Sequence, residues 1–359
     1  MYPALVLLSI VLLVATTLPC LRSERWWIRA LEFPRIQFAV LAVVLLLAEL
    51  AFLDLSRPGS WLLLLSVAAS LTWHLWWIAP YTALHQTEVD SVSAVDETRR
   101  IRLLSANVLG TNRQSEKFLE LVRENAPDLV LTLESNAWWQ TRLDSLEKEY
   151  PFTLKCPLEN LYGMHVYSKL ALEASSIEYL LSNDIPSMHA NVKLRSGERI
   201  RVRFLHPAPP SPNEATDTRK RDAELLVVAR DYRKTPSPTI VAGDLNDVAW
   251  SASTRLFRKI SGLLDPRIGR GVFSTFHAGH WFLRWPLDHL FHSKEFRLCR
   301  LQRLENFGSD HFALLSELQY DPSHSGESGN SLDSDIADEK EAQRKTDQEK
   351  VDTTDVPEP

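Results

Sequence analysis

Glycine and cysteine are both scarce in this 359-residue chain, at 12 and 3 copies. No glycine is followed by lysine, so there is no G-x-x-x-x-G-K phosphate loop, and no G-x-G-x-x-G fingerprint occurs. P-loop and dinucleotide-binding readings are thereby excluded. Cys20, Cys156 and Cys299 lie too far apart for a C-x-x-C zinc or redox site, and no H-E-x-x-H or G-x-S-x-G appears. A strongly basic field is missing as well. The formal net charge is −6, and the segment Asp321–Pro359 carries twelve acids against four bases. That balance excludes a protein that coats nucleic acid by charge alone.

Long apolar runs, by contrast, are plentiful at the start. Met1–Leu21 holds no charged residue, Ile36–Leu53 is interrupted only by Glu49, and Pro58–Thr87 contains no Asp, Glu, Lys or Arg. A spanning helix needs about 20 apolar residues, so residues 1–87 read as a multi-pass membrane segment of about three transmembrane helices. The first run lacks a basic leader and a small-x-small cleavage site, which argues against a signal peptide. Trp26, Trp27, Trp61, Trp76 and Trp77 stand near the run ends, where an amphipathic ring suits the lipid–water interface. Arg22, Arg25, Arg29 and Arg35 crowd the first connector, which must share a side with everything after the third run. The positive-inside rule then places the C-terminal domain in the cytoplasm. Glu49 lies near a span end and can snorkel; with His74 it makes too sparse a set for a transport path.

Beyond a polar linker at 88–99, the pattern changes to short apolar runs between amphipathic stretches. Strands are predicted at Ile101–Ala106, Asp128–Leu133, Val166–Tyr167, Met188–Leu194, Ile200–Leu205, Thr239–Ala242, Leu287–His292, Phe296–Arg303 and Phe312–Leu318. Helices are predicted at Ser115–Glu124, Ala137–Glu149, Thr218–Arg233 and Ser253–Ile260. Such interspersion over residues 100–320 indicates one α/β (α+β) domain built on packed sheets. Residues 321–359, acidic and poor in large apolar side chains, are expected to form a disordered tail.

Polar side chains gather at the predicted strand ends: Asn107, Glu134, His206, Asp244 with Asn246, Asp288, and Asp310 with His311. Asp and Asn favour caps and turns anyway, but six such coincidences at six strand ends suggest a shared site. Carboxylates of this kind suit a hard Mg²⁺ or Mn²⁺ ion, a carboxylate–His pair can position water, and Asn can donate to phosphoryl oxygens.

The ordered set Leu-Leu-Ser-Ala-Asn107-Val, Leu-Glu134-Ser, Leu-His206-Pro, Gly-Asp244-Leu-Asn246, Leu-Asp288-His and Ser-Asp310-His311 resembles the endonuclease/exonuclease/phosphatase superfamily, in a bacterial membrane-anchored branch. The resemblance implies a four-layer sandwich of two packed β-sheets flanked by helices. It also implies hydrolysis of a phosphoester in a nucleic acid or phospholipid headgroup, with Mg²⁺ or Mn²⁺ as cofactor and membrane lipid as a partner. Carried over by residue, Glu134 is the principal metal ligand, with Asn107 beside it and Asp310 assisting. Asp244 orients or deprotonates the attacking water, Asn246 and His206 contact the phosphate, and Asp288 orients His311. His311 either contacts the phosphate or acts as base. The chain departs from abasic-site endonucleases at Leu109, where they carry an acid, and no carboxylate partner for His206 is evident. A catalytically inactive membrane scaffold of the same fold is the alternative, and the presence of the full residue set argues against it.

Overall fold

The computed structural model describes residues 2–21, 23–211, 215–324, 332–353 and 356. Helices α1 (Tyr2–Thr17), α3 (Arg35–Phe52) and α4 (Pro58–Ile78) form an antiparallel bundle, with a short α2 (Trp26–Arg29) in the first connector. All three long helices, with the short turns that extend α1 to Leu21 and α4 to Tyr81, are long and apolar enough to cross a membrane. Their outward faces expose Leu, Val and Trp, whereas their contacts are stitched by polar pairs. Ser9 Oγ donates to Glu49 Oε1 (2.8 Å), and Thr16 Oγ1 lies 3.0 Å from His74 Nε2. In lipid, such pairs satisfy groups that would otherwise lack a partner. Glu49, expected to reach for the span end, is instead completely buried between helices.

The remainder builds two sheets. In chain order the elements are β1 (Arg100–Asn107), α5 (Ser115–Asn125), β2 (Leu129–Leu133), α6 (Ala137–Leu143), β3 (Phe152–Cys156), β4 (Met164–Ser168), β5 (Leu172–Glu178), β6 (Ser187–Lys193), β7 (Arg199–Phe204), α7 (Arg219–Lys234), β8 (Thr239–Asp244), α8 (Ala252–Ser261), β9 (Asp288–His292), β10 (Phe296–Arg303), β11 (Leu314–Tyr320) and α9 (Ile336–Glu349). One sheet runs β10-β11-β1-β2-β4-β3, the other β5-β6-β7-β8-β9. Both are mixed, with β1–β2 and β7–β8 the parallel pairs.

Strand alternation explains the layering. Leu103 and Leu131 of the first sheet meet Val202, Ile240 and Ala242 of the second in a shared core. Their sequence neighbours face outward: Leu104 and Val130 pack under Phe118 and Trp139, while Val241 packs under Leu226 and Phe257. Two mixed sheets, each covered by helices on its outer face, make the four-layer sandwich.

Three features depart from the sequence expectation. The strands β3 and β5, at the edges of the two sheets, were not anticipated. Part of the presumed linker is packed down: Val89 joins the core between the sheets, Glu88 is buried against Arg258, and Ser91 bridges to Leu298. The acidic tail is not simply disordered, because α9 lies against α7 and α8. Its N-terminus is closed by a capping box of Asp335 and Asp338, and Lys345 forms an enclosed ion pair with Asp222 (2.9 Å). Residues 325–331, 354–355 and 357–359 of that tail lie outside the described residues.

Candidate active site

Strand register brings the polar ends together. Asn107 closes β1 opposite Leu133 of β2, so Glu134 follows at the adjacent strand end. Across the sandwich, Asp244 ends β8 directly opposite Asp288, the first residue of β9. Gly243 makes this geometry possible: at φ +147°, a Cβ there would stand 1.9 Å from the Leu205 carbonyl. Only glycine lets β8 press so close to the segment that carries His206. Gly163 has a similar duty, since its Cβ would meet the Ser135 carbonyl at 2.1 Å, just beyond Glu134. Glu134 (φ 55°) and Asn246 (φ 51°) themselves adopt left-handed backbone, uncommon for such residues and frequent where a site demands it.

The side chains form one hydrogen-bonded network. Asn107 Nδ2 donates to Glu134 Oε1 (2.7 Å) and to Asp244 Oδ2 (3.2 Å), linking the two sheets. His311 Nδ1 donates to Asp288 Oδ2 (2.8 Å), and its Nε2 points to Asp244 Oδ2 at 3.6 Å. His206 Nε2 lies 4.0 Å from the same oxygen. That is too long for a hydrogen bond, and His206 Nδ1 is buried without a partner. Asn246 donates its backbone N–H to Asp244 Oδ1 (2.9 Å) and one amide proton to the Pro207 carbonyl (3.0 Å). Asp310, half-buried at the rim, has Oδ1 3.3 Å from Ser309 Oγ. Every residue singled out from the sequence therefore lies at or beside this cluster.

Burial sets the electrostatics. Desolvation pushes Glu134 up to about 7 despite the Asn107 hydrogen bond, and pushes Asp244 up to about 6 despite His311. His311 is also desolvated, but the Asp288 and Asp244 carboxylates win and hold it protonated, at about 10. Asp288 is burdened by burial too, yet falls below the ordinary carboxylate range because it faces that imidazolium. His206 is driven down to about 4 by burial and by His311, so its ring is neutral.

Asp244, Asp288 and His311 offer ligand-type atoms that all lie within 4.8 Å of one another. This grouping differs from the expected metal set of Glu134, Asn107 and Asp310. His311 already spends Nδ1 on Asp288, whereas Glu134 and Asp244 face each other across the Asn107 amide. The NH₂ group occupies the place between two carboxylates that a cation would favour. Oxygen donors of this kind, enclosed in the site, fit a hard divalent ion.

Several further residues support these side chains. The Tyr162 ring packs 5.4 Å from that of His206, and Phe276 lies 4.9 Å from His311. Ser309 Oγ donates to the Asn107 carbonyl and accepts from the His311 N–H, tying β1 to the loop before β11. His289 turns away from the centre. It bonds the Asp247 carbonyl and is gripped by Arg267; burial, and then that guanidinium, lower it to about 3. In the sequence Tyr162 stands with Tyr167 between Glu134 and Asp244 and Ser309 opens the Ser-Asp-His run, but Phe276 sits in a stretch without periodicity.

The sequence model of the Endonuclease/Exonuclease/phosphatase family matches residues 104–311, and the chain belongs to that family. Proteins of this superfamily are typically metal-dependent phosphoester hydrolases. Among solved structures, D. rerio TDP2 complexed with a single-strand DNA product is 16% identical, with TM-score 0.51 over 61% of this chain and 99% of that one. The human Nocturnin catalytic domain with bound sulfate is 16% identical, TM-score 0.50, covering 63% and 96%. An endonuclease/exonuclease/phosphatase family protein from Bacteroides thetaiotaomicron is 18% identical, TM-score 0.51, covering 63% and 97%. No curated protein sequence matches the chain. At these identities the likeness establishes the fold.

Proposed function

We propose that the chain is a membrane-anchored phosphoester hydrolase dependent on Mg²⁺ or Mn²⁺, with its catalytic domain on the cytoplasmic side. The observation that carries the reading is the convergence of Asn107, Glu134, Asp244, Asp288 and His311 in one network spanning both sheets. Glu134 and Asn107 would hold the metal, with Asp310 assisting from the rim. Such an ion neutralises a phosphoryl oxygen and stabilises the leaving oxygen.

The protein groups supply the rest. Asp244, raised in pKa by burial, accepts a hydrogen bond from water and takes its proton as attack proceeds. Asp288 fixes the His311 ring through Nδ1, leaving the charged Nε2–H to contact a phosphate oxygen. The free amide proton of Asn246 and neutral His206 orient the same group. The Arg-rich first connector and three apolar helices support insertion with the domain inside.

The test uses full-length protein in detergent with bis(p-nitrophenyl) phosphate and a single-stranded oligonucleotide, with and without Mg²⁺ or Mn²⁺. Metal-dependent turnover should fall by about 100-fold or more in Glu134→Ala and Asp244→Ala, with circular dichroism unchanged. Equal turnover in wild type and both variants would overturn the assignment.

A further inference from the structure

The segment from Thr275 to Trp285 connects the candidate centre to the membrane bundle. At its base, the backbone N–H groups of Thr275 and Phe276 donate to the Trp285 carbonyl (3.1 and 3.0 Å), and Trp285 N–H returns to Phe276. The Phe276 ring lies against His311, and Ala278 N–H donates to the Asp310 carbonyl (2.6 Å). At its tip, Trp281 is 81% exposed and Phe282 52%. Beside them, Gln37 Nε2 donates to the Phe282 carbonyl (2.7 Å), and Trp285 meets Phe33 edge-on at 5.8 Å.

Gln37 lies in the first turn of α3, a helix of 18 residues. At 1.5 Å per residue it is about 27 Å long, against a hydrocarbon thickness of about 30 Å. A span with no length to spare must place both ends at the polar boundary. Gln37 therefore marks that boundary, and the Phe282 backbone bonded to it lies at the same level.

A second edge of the site is fastened to the same level. The loop following Asp244 ends at Trp250, whose Nε1 donates to the Glu32 carbonyl (2.8 Å), while Tyr81 Oη donates to the Ala249 carbonyl (2.6 Å). Glu32 precedes the second span and Tyr81 ends the third. From Phe276 to Phe282 the chain can reach at most about 20 Å, so the centre stands close above the bilayer. An exposed Trp–Phe pair there is placed as an interfacial anchor.

We propose that the mouth of the site opens onto the bilayer surface and that its substrate is the phosphoester of a lipid headgroup in that leaflet. This rests on the hydrolase reading above. One water is consumed: its OH joins phosphorus, the P–O bond to the leaving oxygen breaks, and that oxygen takes up the proton. A nucleic acid would have to lie along an anionic lipid surface that repels it.

The experiment uses full-length protein in vesicles of phosphatidylcholine, phosphatidylethanolamine and phosphatidylglycerol with Mg²⁺ or Mn²⁺. Turnover of these lipids is compared with that of their water-soluble glycerophosphodiesters, bis(p-nitrophenyl) phosphate and a single-stranded oligonucleotide. At least one lipid should turn over tenfold faster than its soluble counterpart. The double variant Trp281→Ser, Phe282→Ser should lose about tenfold on lipid and nothing on the soluble diesters. Independently of activity, lipids brominated near the headgroup should quench a tryptophan component that is missing in Trp281→Phe. Turnover of soluble diesters or oligonucleotide without preference for lipid would overturn the substrate assignment and leave the hydrolase reading standing. An unquenched Trp281 would overturn the placement of the loop. Absence of turnover on every probe would remove the hydrolase reading and this inference with it.

Discussion

Asp222 and Glu224 stand two residues apart on α7, both buried, and their surroundings treat them in opposite ways. Asp222 overcomes its desolvation through Lys345 and Arg221 and falls below its ordinary pKa. Glu224 has only desolvation acting on it and is pushed up to about 8. Between the unfolded value near 4.3 and the folded value, the native state keeps a proton that the unfolded chain has lost. Stability therefore declines as pH rises through that window. Glu224→Gln should raise thermal stability at pH 8 by about 1–2 kcal/mol and change little at pH 5. No gain at pH 8 would show that Glu224 is ionised and solvated. At this same scale the grouping of the site residues was readable in the sequence, because Asn107, Glu134 and Asp244 sit where strands stop and Asp288 where one starts, and β-register converts that position into proximity. The contacts of Phe276, Tyr162 and Ser309 were unreadable for the converse reason. Each acts on a histidine distant in sequence or on a backbone group, and neither relation leaves a local pattern.

Among the elements, α9 is the instructive case. Composition pointed to disorder, since the segment has few apolar residues with which to offset chain entropy. What holds it is specific charge pairing in both senses: its acids Asp338 and Glu339 meet Lys259 and Arg233, and its base Arg344 meets Glu24. Ala342 and the enclosed Lys345–Asp222 pair add burial. A composition rule counts the charges of the tail and cannot see their partners on α7, α8 and the first connector. The missed β5 has a related cause, because its half-exposed edge position and a register shift between Glu173 and Ser176 blur the alternation. The central strands β2 and β8, by contrast, are mainly apolar and were found, and β7 was found by its strict alternation of Arg with Ile, Val and Phe. Lys345→Met should leave Asp222 without its second cation in a closed site, at a cost of about 3 kcal/mol, lowering Tm by roughly 6–12 °C. Because Asp222 is held below its ordinary pKa, that contribution is present above about pH 4 and fades as acid protonates the folded carboxyl. Thermal unfolding of the variant at pH 7 and pH 3 checks both, and a deficit equal at the two pH values would contradict the ion-pair account.

For the whole molecule, the membrane bundle and the sandwich share a core. Ala39, Ile78 and Tyr81 from the bundle pack with Val248, Ala249, Trp250, Ile268 and Leu287 from the domain. Glu88, just past the last span, is buried against Arg258 and accepts the Asp265 N–H (2.8 Å) with its other oxygen. Cutting the chain to residues 91–320, slightly wider than the 100–320 that the strand pattern alone suggests, would remove all of this at once. Trp250 and its neighbours would face water, and Arg258 and Asp222 would each lose a buried partner of opposite charge. Stranding one member of a buried pair costs about 3–5 kcal/mol, and two such losses are comparable with the entire stability of a domain. The fragment is therefore expected to aggregate or bind an apolar dye, and to melt at least 10 °C below the full chain in detergent. Glu88→Gln in the intact protein isolates one part of the effect. It should lower Tm while leaving the spans inserted, since the residue acts on Arg258 and the Asp265 backbone rather than on lipid. A fragment 91–320 as stable as the intact protein would mean that the bundle is only a tether. A large deficit would mean that the spans complete the domain's fold, and that the rim of its candidate site is held in shape by the membrane segment beneath it.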